Sequence, residues 1–177
     1  MLWRLHWRNI DFETNVKMRL VLLGLCVLAV SAACVRSGAT VTPRGKAAVA
    51  QPVGGLSASI APEVNAFRLA NGQTALAADA RLARAAQAHA DDMSANAFFS
   101  HTGQNGSSVG DRVKLQGYGF CFVAENIAQG QKGALAALEG WQKSEGHRKN
   151  LLSGNATQFA MAQSADYWVM VLGKPGC

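Results

Sequence analysis

Charged residues are scarce in this sequence, and most of its net positive charge lies outside residues 61–177. Lys, Arg, Asp and Glu make up 16% of the 177 residues, against 49% hydrophobic residues. The formal net charge is +6, but from Ala61 onward ten cations face nine acids, which leaves +1. A nearly neutral domain is not expected to bind nucleic acid. The length and composition predict one globular domain, which we expect to be monomeric, with a tail.

The sequence also lacks an apolar run long enough to span a bilayer as a helix. Residues 20–33 are apolar, follow Lys17 and Arg19 and end in small residues, as in a signal peptide. The ending VSAAC resembles a bacterial lipobox, in which Cys34 is acylated, although Ser31 stands where Leu is usual. The sequence therefore predicts an exported protein anchored to the membrane of the bacterial cell envelope through lipidated Cys34. Cleavage after Ala33, giving a soluble secreted or periplasmic protein, is the alternative.

Two other segments near the N-terminus are not predicted to belong to a folded domain. Residues 1–17 show none of the features of an export signal. We therefore expect them to be a non-native extension, with translation starting at Met18 and a signal peptide over 18–33. Residues 34–60 are rich in Ala, Gly, Pro, Ser and Thr and show no hydrophobic period. This composition predicts a flexible tether that precedes a domain over 61–177.

Cysteines are few, and the export signal accounts for half of them. Cys26 lies within the predicted signal peptide and Cys34 is the predicted acylation site. The remaining pair, Cys121 and Cys177, is predicted to form a disulfide, because an exported domain folds in an oxidising compartment. Two independent buried thiols are the alternative.

Hydrophobic spacing and turn residues predict an α+β domain over 61–177. Pro62 suits a first helical turn, Asp79 can cap a helix and His89 lies on that helix's apolar stripe. The predicted elements are helices over 63–70, 80–96, 108–116 and 134–143, and strands over 120–128, 158–163 and 167–172.

Several motifs in this domain, taken together, resemble those of the CAP superfamily of cysteine-rich secretory, antigen-five and pathogenesis-related proteins, in its compact bacterial form. The match runs from residue 63 to about residue 173. Its main motifs are Phe99-Ser100-His101, Glu125-Asn126-Ile127-Ala128, Trp141 and Ser144-x-Gly146-His147-Arg148-x-Asn150-Leu151-Leu152. The resemblance implies an α–β–α sandwich, with a small antiparallel sheet between helical layers and a cleft beside the sheet.

The resemblance also implies which residues line that cleft. In the family, two histidines and two carboxylates line it, and some members bind a divalent metal there. His101, Glu125 and His147 match three of these positions, but Ser144 stands where larger relatives place the second carboxylate. His101, His147 and Glu125 would suit Zn²⁺ with one open position. The same residues could instead form a hydrogen-bonded cluster that rigidifies the cleft, with Asn126 bonding backbone at the strand end.

The function expected first is a binding module in which the cleft holds a small amphiphilic, lipid or protein ligand. Relatives are variously credited with sterol, lipid, metal and protein binding, so the resemblance does not fix the ligand. A second hypothesis is a hydrolase-like enzyme that uses His101, Glu125 and His147 around a metal-bound water. A third is a purely structural envelope protein. Ser144 in place of a carboxylate favours binding over catalysis.

Overall fold

The computed structural model describes residues 54–177. The predicted N-terminal extension, the signal peptide, Cys34 and the tether up to residue 53 lie outside the described residues. The described part contains five helices and four strands in the order α1 (Gly55–Ala70), β1 (Ala77–Ala78), α2 (Ala80–Asn96), α3 (Val109–Leu115), β2 (Phe120–Gln129), α4 (Ala134–Lys143), α5 (Glu145–Leu151), β3 (Gln158–Ser164) and β4 (Tyr167–Pro175).

The four strands form one sheet in the order β1-β3-β4-β2. The three long strands are antiparallel, and β3 and β4 form a hairpin with the two-residue turn Ala165 and Asp166, in the gap between the strands predicted over 158–163 and 167–172. Two-residue β1 pairs with β3 in parallel, so the sheet is mixed rather than purely antiparallel. Strand β2 lies at one edge of this sheet.

Residues of the sheet alternate between two separate hydrophobic cores, because successive strand side chains point to opposite faces. On β4, Val169 and Val171 pack with α2 and α3, whereas Met170 and Leu172 pack with α1, α4 and α5. Helices therefore cover both faces of the sheet, which confirms the α+β class and the predicted α–β–α sandwich.

Helix α1 begins at Gly55, not at residue 63, and so includes the last six residues of the predicted tether. Ser57 explains the difference: it is buried, and its hydroxyl both donates to Met161 O and accepts from Met161 N, at 3.2 and 2.9 Å. Ile60 is also buried. Pro62 therefore lies inside the helix and not in its first turn, and tertiary contacts outweigh the loss of one helical hydrogen bond.

Other helix boundaries are set by capping side chains. Asp79 caps α2 by accepting from the backbone N–H of Arg81 and Leu82, as predicted. Ser108, predicted as the first residue of the third helix, instead caps α3 and forms a reciprocal capping box with Asp111. Helix α5 and strand β1 were not predicted.

The predicted disulfide joins Cys121 at the start of β2 to Cys177 after β4, with their Cα atoms 5.1 Å apart. Both cysteines are exposed, so the alternative of two buried thiols is wrong. Within residues 54–177, none of the helices has the length and apolar character needed to cross a bilayer.

Candidate functional site

The candidate site is built around the edge strand β2, where the two helical layers approach each other. Glu125 and Asn126 are consecutive on this strand, so their side chains point to opposite faces of the sheet. Glu125 faces His89 of α2 and Arg112 of α3, while Asn126 faces α5.

The Glu125 carboxylate is almost completely buried, with 2% of its side chain exposed, and both of its oxygens are engaged. His101 Nδ1 lies 2.9 Å from Oε1, and Arg112 Nη2 donates to Oε2 at 2.8 Å. A buried carboxylate needs such partners, because an unpaired charge in the interior is costly.

Arg112 also fixes the loop that carries His101. Its Nη2 donates to His101 O at 3.0 Å and its Nη1 donates to Ser107 O at 2.8 Å. The guanidinium therefore holds the backbone of His101 while Glu125 holds its ring. Since 58% of the His101 side chain is exposed, the ring remains accessible at the surface of the site.

His89 supports the same loop from beneath. It is fully buried, and its Nε2 lies 2.9 Å from Ser100 O and 3.9 Å from Glu125 Oε1. Burial lowers the pKa of His89, and the nearby Glu125 partly opposes that shift. With Nε2–H donating to the Ser100 carbonyl, Nδ1 has no hydrogen-bond partner in the described part of the chain. The interior position predicted for His89 is confirmed.

On the opposite face, an amide network joins β2 to α5. Asn126 Nδ2 donates to His147 O at 3.1 Å. Asn150 Nδ2 donates to Asn126 Oδ1 at 2.9 Å and to Glu125 O at 3.2 Å. These bonds position the helix that carries His147 and also satisfy an edge-strand carbonyl that would otherwise lack a partner.

The His147 ring lines a cleft of about 330 Å³ beside β2. Burial lowers the pKa of His147, and the electrostatic interaction with the nearby His101 lowers it further. The structure thus brings His101 beside Glu125 and His147 near His101, but His147 makes no hydrogen bond to Glu125 in the described structure. The other lining residues are Phe99, Ile127, Ala128, Gln129, Gln131, Ala137, Gly140 and Trp141.

Ser144 separates α4 from α5, and its side chain does not cap α5. The Ser144 carbonyl accepts from Arg148 N at 2.8 Å, so Ser144 contributes to α5 through its backbone. Neither neighbouring acid replaces the missing carboxylate, because Glu139 and Glu145 are both exposed. Ser144 does not line the cleft.

The residues present do not fit the divalent metal site implied by the resemblance. Among residues 54–177, no three side chains of His, Cys, Asp or Glu are arranged to hold a metal ion. The reason is geometric: Arg112 and His101 engage both Glu125 oxygens, and the second carboxylate is replaced by Ser144. The set of His101, His147 and Glu125 predicted for Zn²⁺ is therefore not formed.

The residues of this site lie within the part of the chain that matches a known protein family. The family model described as the cysteine-rich secretory protein family, CAP, matches residues 62–171, well over half of the chain. The chain belongs to the CAP family.

Two Bacillus subtilis (strain 168) proteins share this CAP domain. The uncharacterized membrane protein YlbC is 36% identical over 104 residues, which cover 59% of this chain and 30% of YlbC. The uncharacterized protein YkwD is 34% identical over 113 residues, which cover 62% of this chain and 44% of YkwD. The chain thus spans less than half the length of either relative.

Solved structures show the same CAP fold. An extracellular SCP-domain protein from Bacillus anthracis str. Ames aligns with a TM-score of 0.64 and 33% identity, over 66% of this chain and 39% of that one. An outer surface protein from Borrelia burgdorferi aligns with a TM-score of 0.63 over 68% of this chain and 92% of that one. At 19% identity, the second likeness shows the fold alone.

Arg112 is central to the site but was not predicted as a site residue. Arg112 follows Val109 by three residues, so the two share one face of α3, and this helical spacing is the signal in the sequence that could have placed it towards the core. Gln131 was also missed; no local pattern distinguishes it, because it enters the site through the loop after β2.

Residues 106–110 match the Gly-x-Ser-x-Gly pattern of nucleophile elbows, with Ser108 as the serine. In the structure, Ser108 Oγ donates to Asp111 Oδ2 at 2.6 Å and accepts from Asp111 N at 3.2 Å. It follows a loop rather than a strand, so it lacks the strand–turn–helix setting of a nucleophile elbow. Its role is to cap α3.

Proposed function

We propose that the domain is an exported binding module whose cleft beside β2 holds a small amphiphile. The observation that carries the proposal is the cleft itself: about 330 Å³, within the range of small-molecule sites and walled mainly by apolar and aromatic side chains. Phe99 lines this cleft and is 49% exposed, so its ring adds accessible apolar surface.

The polar atoms of the cleft favour a ligand that carries a hydrogen-bond donor. Gln131 Oε1 is buried and accepts no hydrogen bond from any group in residues 54–177. A buried acceptor without a partner is costly, so a hydroxyl or amide N–H of a bound molecule would be stabilised there. The imidazole of His147 offers a second polar contact.

The apolar wall would hold the remainder of the molecule. Ala128, Ala137 and Trp141 line the cleft, and the Trp141 indole N–H is already engaged with Ile127 O at 3.1 Å. Each buried methylene of a ligand gains about 0.8 kcal/mol from leaving water. A short alkyl chain with one hydroxyl therefore matches the cleft in volume and in chemistry.

Nuclear magnetic resonance with 1-octanol as the probe tests this proposal. We expect saturable shifts of the Trp141 indole N–H signal. Gly140→Leu should abolish them, because Gly140 lines the cleft and a Cβ added there points into open space. Ala136→Leu on the same helix adds an equal apolar group at an exposed position outside the cleft and should bind normally. Absence of saturation in the wild type, or equal loss in both variants, would refute the proposal.

A second candidate, hydrolysis, is favoured by one specific observation. His101 Nδ1–H donates to buried Glu125, which leaves Nε2 as an acceptor on an exposed ring, as a general base requires. Turnover of p-nitrophenyl acetate that is lost in His101→Ala but retained in His147→Ala would support this candidate. Equal rates in wild type and His101→Ala would exclude a role for His101 in turnover of this ester.

We further propose that the protein is exported and anchored through acylated Cys34. The similar SCP-domain protein from Bacillus anthracis is extracellular, which supports export of this chain. Labelling with radioactive palmitate in a bacterial host should mark the wild type and not Cys34→Ser. Labelling that persists in Cys34→Ser would refute acylation at this residue, and a wild type that is unlabelled and released into solution would favour cleavage after Ala33.

A further inference from the structure

A second cavity of the described residues lies outside the cleft and is larger than it. It has a volume of about 660 Å³, twice that of the cleft, and is formed between α2, α3 and the loop that joins them. The two cavities share none of their lining residues. The size falls within the range found for small-molecule sites, and nothing in the amphiphile proposal uses it.

A buried donor in the wall of this cavity lacks an acceptor. Arg112 is 8% exposed, and its Nη1 and Nη2 are engaged with Ser107, His101 and Glu125. Its Nε, in contrast, has no hydrogen-bond partner in the 54–177 segment. Because a buried N–H without an acceptor costs free energy, a ligand oxygen at this position would be stabilised.

Two carboxylates in the same wall give the cavity its charge. Asp92 projects from α2 and Asp111 from the first turn of α3, and neither forms an ion pair with any described residue. Ser108 hydrogen bonds lower the pKa of Asp111, which keeps it ionised at neutral pH. Arg112 is paired with Glu125, and the charges of Lys114 and Arg112 act on Asp111 only at longer range, without an ion pair to either acid among the described residues. Each carboxylate retains lone pairs that can accept from an ammonium group.

Part of the cavity wall is apolar and exposed to solvent. Leu115 is 83% exposed, the highest value among the large hydrophobic residues of the described chain, and Ala88 of α2 is exposed on the same cavity. An apolar group of a ligand would cover this surface and remove it from water.

We propose that this cavity is a second ligand site for a small primary amine that carries a neighbouring carbonyl and an apolar side chain. The ammonium group would contact Asp92 and Asp111, the carbonyl oxygen would accept from Arg112 Nε, and the apolar group would cover Leu115. This is the chemistry of an α-amino amide, which occurs both as a free amino-acid amide and at the N-terminus of a peptide. A free carboxylate in place of the amide would be repelled by the two acids.

Titration of the full-length protein with L-leucinamide, followed by nuclear magnetic resonance, tests the proposal. We expect saturable shifts at Leu115 and at the Arg112 Nε–H. N-acetyl-leucinamide lacks the ammonium, 3-methylbutylamine lacks the carbonyl and leucine adds a carboxylate, and each should bind at least about tenfold more weakly, since a charge-assisted hydrogen bond is involved. Tighter binding of leucyl-glycinamide than of leucinamide would identify the peptide source, and the reverse the free amide.

Two matched variants complete the test. Ala88→Phe fills the cavity from an exposed position of α2 without removing a hydrogen bond, and should abolish binding. Ala95→Phe adds the same ring two turns further along α2, outside the cavity, and should bind like the wild type. The proposal is overturned if leucinamide causes no saturable shift, if N-acetyl-leucinamide binds equally well, or if both variants lose binding to the same extent.

Discussion

The buried pair of Glu125 and Arg112 is the electrostatic centre of the site at the scale of single residues. The Glu125 side chain is 2% exposed and the Arg112 side chain is 9% exposed. Water therefore solvates neither charge well, and each depends on the other for compensation. Such a pair adds little net stability compared with apolar residues, but the loss of one partner leaves an uncompensated charge inside. Its value here is positional, because the same two side chains hold the ring and the carbonyl of His101.

We predict that Glu125→Gln lowers the free energy of unfolding by about 3 kcal/mol, because Arg112 is then a buried cation without a counter-charge. Urea denaturation at neutral pH measures the change. Glu139→Gln is the matched control, since Glu139 is exposed on α4, and it should change stability by less than about 0.5 kcal/mol. Equal stability of the two variants would contradict this account of the pair.

His89 adds a dependence on pH to the same cluster. Burial lowers its pKa; Glu125 and Asp92 raise it and Arg112 lowers it, with burial the largest effect. The folded pKa is therefore below the unfolded value of about 6.5, so the unfolded chain binds more protons between the two values. Stability in that window rises with pH and is lost as the pH falls from about 6.5 towards the folded pKa. His147, whose pKa is also lowered, contributes in the same direction.

We predict that the free energy of unfolding decreases between pH 7.5 and 5.5 and that the decrease is smaller in His89→Gln. Urea denaturation across this range tests the prediction. Asp79 and Asp111, whose pKa values are lowered from 3.8, titrate below this window and do not interfere. An unchanged slope in His89→Gln would show that His89 is not buried in its neutral form.

At the scale of elements, the long helices and strands could be predicted from the sequence and the short elements could not. Helix α2 was predictable because its apolar spacing and the Asp79 cap agree. Helix α5 has seven residues and one buried side chain, Leu151, so it has almost no apolar period to detect. Strand β1 has two exposed residues and exists only because β3 lies beside it.

The start of α1 shows the same limit more sharply. Its first residues have the composition of a linker, and only Ser57 and Ile60 are fully buried before Pro62. Two buried positions cannot establish a helical period, whereas the contact of Ser57 with β3 is visible only in three dimensions. Tertiary contact, not local propensity, decides where this helix begins.

We predict that Ser57→Ala destabilises the protein by about 1–3 kcal/mol, because it leaves the buried N–H and C=O of Met161 without their partner. Thermal unfolding followed by circular dichroism measures the loss. Ser59→Ala is the control: Ser59 is exposed and bonds only within its own helical turn, to Leu56 O. If both substitutions have the same small effect, residues 55–60 are not docked on β3.

At the scale of the whole molecule, the site depends on three segments that are far apart in the chain: the loop with His101, strand β2 with Glu125 and helix α5 with His147. His101 and Glu125 could be matched by their motifs, but the distances between them follow from the stacking of α2 and α3 on one face of the sheet and α5 on the other. Sequence spacing carries no information on which Glu125 oxygens are already engaged. For that reason the metal set could be predicted and yet not form, while Arg112 was missed.

The disulfide ties the end of the chain to the edge of the sheet. Cys121 and Cys177 are 56 residues apart, and a cross-link over that distance stabilises by about 4 kcal/mol in the chain-entropy model. Next to the disulfide, Gly176 N donates to Gly119 O at 3.2 Å, a second link between the end of the chain and the residue before β2. We predict that the double variant Cys121→Ser/Cys177→Ser unfolds about 15 °C below wild type in a calorimetric scan. Cys34→Ser leaves the pair intact and should unfold at the wild-type temperature; a double variant as stable as this control would show that β4 holds its end without the bond.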